Sequence, residues 1–155
     1  MACSIPMKIK PQMLLIVAAG LMVFYGASLT VANERQNSDP IKVNLAGQEH
    51  AKNLIQQGHF VVDKRNAWSE HQPSAEEENE FIRQRGFEEY AKWHLGIDDT
   101  HVENTKARYK FPYGDFKNVH RSALLAARNR ARQYQHYDVE KAAMELIQAM
   151  KKKEH

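Results

Sequence analysis

The chain has 155 residues, of which 43% are hydrophobic and 26% charged, with a formal net charge of +3; this is room for one domain and excludes a multidomain architecture. Its only cysteine, Cys3, precedes the apolar N-terminal stretch, which excludes a disulfide framework, thiol chemistry in a mature domain and a lipidated cysteine after an export segment. Charge is segregated, net −6 over residues 33–104 and net +7 over residues 105–155, so the halves attract each other across the fold or the basic half awaits an anionic partner.

Residues 13–32 (MLLIVAAGLMVFYGASLTVA) carry no charge, follow Lys8 and Lys10, and end in Thr30-Val31-Ala32. That is the plan of a signal peptide, with residues 1–32 removed on export; an uncleaved anchor is the competing reading, since the stretch reaches the ~20 residues that a bilayer crossing requires. Either way the remainder is expected outside the cytoplasm, periplasmic or secreted, or anchored to the membrane by residues 13–32. Residues 33–43 read as a linker, residues 44–150 as a small helical domain, and residues 151–155 as a basic tail.

Within the domain, Asn44 is placed to cap a helix with Ala51, Leu54 and Ile55 on its buried face, and Gly58 to end it in a left-handed conformation. Residues 63–73 form a loop anchored by Trp68. Ser74 and Glu77 make a capping box for the next helix, Glu76 to Glu78 lie at its positive end, and Gly86 is the expected stop. Residues 87–97 suit either helix or strand; a short β-hairpin from about residues 91–97 and 107–112 is the reading taken. Asp115 is expected to cap a long helix reaching about Tyr134, and Asp138 to cap a last helix with Val139, Ala142, Ala143, Leu146, Ile147 and Met150 as its apolar stripe. The expected fold is mainly α, or small α+β, with three to four helices, a short hairpin and the last two helices as an antiparallel pair.

The strings WSEHQPS, KWHLGID, RYKFPYGDF and VHRSALLAARNRARQY resemble those of a family of short uncharacterised bacterial proteins, over nearly all of residues 44–150. The section from Tyr109 to Lys151 is also similar to a helical module that follows a KxPxxD turn in other bacterial and phage-derived proteins. Neither resemblance carries an activity or catalytic residues, and both imply only a recurring fold.

Three constellations could carry chemistry. His94, Asp98, Asp99 and His101, joined by His120, offer nitrogen and carboxylate ligands for a divalent metal ion such as Zn²⁺, although no established ligand spacing is present. Arg121, Arg128 and Arg132 share one helical stripe, with Arg130 nearby, and could pair an anionic ligand; the bland alternative is internal pairing with Glu76 to Glu80 or Glu88 and Glu89. Ser69-Glu70-His71 are consecutive loop residues, which rarely form a triad. The resulting expectation is an exported binding or structural module without a cofactor. It contacts a protein or anionic partner through Arg121, Arg128, Arg132, Trp68, Trp93 and Tyr113; a metal-dependent protein is the alternative, and nucleic acid is an unlikely partner for an exported chain.

Overall fold

The computed structural model describes residues 40–154; the expected export segment and most of the expected linker lie outside the described residues. The order is β1 (Ile41–Val43), α1 (Leu45–Gln57), β2 (Phe60–Val61), α2 (Trp68–His71), α3 (Ala75–Ala91), β3 (His94–Asp98), a 3₁₀ turn (Lys106–Arg108), β4 (Tyr109–Pro112), β5 (Val119–His120), α4 (Arg121–Gln133) and α5 (Tyr137–Glu154). Strands β1, β3 and β4 form one antiparallel sheet with β3 central, and β2 pairs in parallel with β5. The described chain is thus α+β, with α4 and α5 packed on one another. None of its helices is long and apolar enough to cross a membrane.

Local punctuation explains both ends of α1 and the start of α3. The Asn44 side chain accepts from Gly47 N and Gly58 closes α1 at φ 86°; Ser74 and Glu77 form the reciprocal capping box of α3. Gly86, at φ 84° and ψ 169°, interrupts α3, but one further helical turn, Phe87 to Ala91, follows it before β3 begins. Ile41–Val43, read from sequence as linker, pair with β3. Residues 151–154, read as a tail, continue α5.

The largest departure is at residue 115. Asp115 does not cap a helix; its Oδ1 accepts from Lys117 N and Asn118 N at 3.0 and 2.6 Å and closes a turn. Val119 and His120 are taken up by pairing with β2, so α4 starts only at Arg121. Phe111 and Phe116 flank this turn in the left-handed region, at φ 61° and 67°, a conformation that costs a non-glycine residue ~1–2 kcal/mol and must be held by its surroundings. Phe116 is held by a stack on Phe81 with ring centroids 4.1 Å apart.

The core lies between α1, β3, α4 and α5. Ala127 and Ala131 of α4 and Val139, Ala143 and Leu146 of α5 belong to one buried cluster with Ile55, Leu95 and Leu124, and Ala123 is buried on the groove side of α4. Trp93 and Tyr113, expected to be partly exposed contact residues, are core residues instead. The Tyr113 hydroxyl donates toward Gly47 O at 3.1 Å and Lys92 O at 2.5 Å, which satisfies its polar end while the ring is buried.

One contact holds α1 on the sheet. Asn44 Nδ2 donates to Ala91 O and His94 O, and its backbone N–H donates to Leu95 O. The backbone of Gly47 then lies so close to β3 that an added Cβ would stand 2.1 Å from His94 O. Helix propensity alone favours Gly47→Ala by ~1 kcal/mol. The packing predicts the reverse, a loss of ~1–3 kcal/mol in a chemical-denaturation measurement.

A candidate site at the start of helix α4

The parallel register Phe60↔Val119 and Val61↔His120 carries Asp63, two residues beyond β2, alongside Ser122, two residues beyond β5. Asp63 Oδ1 accepts from Ser122 N at 2.7 Å, and Oδ2 accepts from Ser122 Oγ at 2.5 Å. His120 occupies the N-cap position of α4 but makes no capping bond with its own side chain. Asp63 caps the helix from outside, placing a carboxylate where the helix dipole and unpaired N–H groups favour one.

His120 is 3% exposed and stands between two carboxylates. Its Nδ1 lies 3.0 Å from Asp63 Oδ2, and its Nε2 lies 3.2 Å from Asp115 Oδ2. The second approach is close but falls outside hydrogen-bond alignment. Since Asp115 spends Oδ1 on its turn, Oδ2 is the oxygen left to face the ring. The exposed His71 ring stacks over His120, with centroids 4.8 Å apart and planes inclined by 26°, and Trp68 lies 5.8 Å away on the same side of the sequence, in α2.

Both carboxylates stay ionised. Burial would raise Asp63, but the bonds from Ser122 and His120 outweigh it and hold the group below the usual carboxylate value. Burial likewise works against Asp115, and the Asn118 N–H, His120 and the Lys117 N–H outweigh it.

A groove of about 570 Å³ adjoins Trp68. Phe111, Pro112 and Tyr134 provide its apolar walls, and Lys110, Arg130 and Asp98 its charges. Arg130 lies over the Tyr134 ring, 5.4 Å from its centroid, and Lys110 Nζ is 3.7 Å from Asp98 Oδ2. Arg121, Arg128 and Arg132 lie elsewhere on α4, about half a turn from Arg130 by helical geometry. Among the described residues none of these three has a carboxylate partner, so the internal pairing with Glu76 to Glu80 or with Glu88 and Glu89 is not formed. Arg128 reaches only Asn129 Oδ1, while Glu78 pairs with Lys106, Glu80 with Arg83 and Glu89 with Lys92.

The loop histidines and acids separate. His94 is buried with Nδ1–H donating to Tyr90 O, and burial pushes its pKa down to about 4. Asp98 accepts from Thr100 N and Oγ, with His101 Nε2 at 3.5 Å. Asp99 pairs with Lys42 and Arg108. His120 joins Asp63 and Asp115 rather than this loop. Ser69, Glu70 and His71 are consecutive residues of α2, and no hydrogen bond among the described residues joins their side chains. Asp63 and Ser122 escaped sequence reasoning because 59 positions separate them; the unused hydroxyl of Ser122 beside an uncapped helix start was the available signal.

Replacing Asp63 with asparagine should lower stability by ~3 kcal/mol, since the buried charge that accepts both Ser122 bonds is lost. The folded-state pKa values of Asp63 and Asp115 are depressed, so their contribution is complete above the unfolded value of about 3.9 and is lost as pH falls through the lower folded values. Melting temperature should therefore decline below pH ~4, and less steeply in Asp63→Asn; equal slopes in the two proteins would show that Asp63 contributes nothing to the decline. No family model, curated protein or solved structure matches this chain.

Proposed function

We propose that the chain is an exported binding module that captures an anionic ligand or partner segment by its α4 surface, rather than an enzyme. The observation that carries this reading is the groove beside α4, lined by Trp68, Phe111 and Tyr134 together with Arg130, Lys110 and Asp98, with Arg130 over the Tyr134 ring. Aromatic walls with a few placed charges suit a ligand that has an apolar body and an anionic group. The left-handed backbone at Phe111 supports it, because strain of this kind concentrates where a surface is shaped for binding. Arg121, Arg128 and Arg132, free of carboxylate partners among the described residues, add a positive field that steers anions toward the helix.

In this reading α4 and α5 run antiparallel through the turn at residues 134–136, β3 and β4 act as a hairpin, and the pair forms a rigid wall for the groove. Residues 13–32 deliver the module across the membrane, either by cleavage or as an anchor.

A suitable probe is anilinonaphthalene sulfonate, which has fused rings and one anionic group. The full-length chain should bind it at one saturable site, and Arg130→Ala should weaken binding about fivefold or more, as expected for a lost charge-assisted contact. Arg128→Ala with Arg132→Ala should leave the melting temperature unchanged and slow association only at low salt. Dye binding indifferent to Arg130, or unfolding of the double variant, would contradict the assignment; unfolding would make Arg128 and Arg132 internal supports.

A further inference from the structure

The second surface worth reading is the histidine cluster, which the binding reading does not use. Among the described residues, Asp63, His71 and His120 are the group whose donor atoms lie within 4.8 Å of one another. His120 presents each ring nitrogen to a carboxylate, Nδ1 at 3.0 Å from Asp63 Oδ2 and Nε2 at 3.2 Å from Asp115 Oδ2.

His71, stacked on His120 with ring centroids 4.8 Å apart, supplies the third donor of the cluster. The geometry points to a mononuclear zinc-type site formed by Asp63 Oδ2, His120 Nδ1 and His71, with Asp115 as the carboxylate that orients His120 through Nε2–H. Zn–N and Zn–O bonds near 2.0–2.2 Å place two ligand atoms of a tetrahedral ion about 3.3 Å apart, and Asp63 Oδ2 and His120 Nδ1 stand at 3.0 Å. His71 is exposed on a four-residue helix, and one of its ring nitrogens already lies within 4.8 Å of the other two donor atoms. Nitrogen and carboxylate donors suit Zn²⁺ better than Ca²⁺ or Mg²⁺. A carboxylate behind a ligating histidine is the usual arrangement around zinc. Three protein ligands leave the fourth position for water or for a ligand's anionic group.

The test is zinc binding by the full-length chain, purified in mild detergent without a histidine tag, stripped with a chelator and titrated with Zn²⁺ alone. One ion per chain is expected. His71→Ala should weaken binding at least about tenfold while leaving the metal-free melting temperature unchanged, and Asp115→Asn, which keeps the turn acceptor, should weaken it about 10–100-fold. His101→Ala should bind as the parent does. Absence of bound zinc, parental affinity in His71→Ala, or loss of binding in His101→Ala would overturn the site; the last would move it to the 98–101 loop. Dye binding in the groove is unaffected by the chelator if the two sites are independent, so failure here leaves the binding reading standing.

Discussion

The carboxylate of Asp63 against the first turn of α4 is the constraint on which this architecture turns. One side chain accepts the backbone N–H and the hydroxyl of Ser122 and lies 3.0 Å from the imidazole Nδ1 of His120. It thereby joins the segment after β2 to the start of the helix that supplies one wall of the core. Two two-residue strands could not hold that register alone, because a pair so short has little hydrogen bonding and little buried surface. The ionised cap supplies what the strands lack. It also explains why α4 begins at Arg121 rather than at Asp115: residues 119 and 120 are extended, and a helix can start only after them.

Electrostatics then divides the surface by charge. The acidic residues of the first half are mostly spent on helix ends, on Arg83 and Lys92 within that half, and on Lys106, Arg108 and Lys110 across the halves. The basic residues of α4 are not. The ion pairs between the halves therefore come from Lys106, Arg108 and Lys110 and not from α4, whose Arg121, Arg128 and Arg132 form a positive face turned away from Arg130 and the groove. At the other end of the core, Asn44 and Tyr113 bond to carbonyls of residues 91, 92, 94 and 47, which lets α1 lie against β3 at Gly47.

What could be read from sequence was local. Asn44 with Gly58, and Ser74 with Glu77, bracket helices because capping involves residues within four positions of each other. The α5 stripe was legible for the same reason. Asp115 misled because Asp-x-x-Asn closes a turn as readily as it opens a helix, and the choice was made by β2, some 60 residues earlier. Trp93 and Tyr113 looked available because an aromatic with a polar end suits an interface, yet here Tyr113 finds carbonyl acceptors inside the core. The candidate site was the least legible part. His120 was noticed, but its companions Asp63, His71 and Asp115 come from three separate segments, brought together by a parallel pairing that leaves no periodic trace in the chain.

Amide hydrogen exchange at Ser122 tests the capping role of Asp63 most directly. First-turn amides of a helix have no acceptor within the helix and exchange freely unless something outside caps them. With Asp63 in place, the Ser122 N–H should be strongly protected, and Asp63→Ala should release it while amides deeper in α4 remain slow. Rapid exchange at Ser122 in the parent protein, or protection that survives Asp63→Ala, would mean that another feature fixes the start of α4 and that the cluster around His120 is held differently.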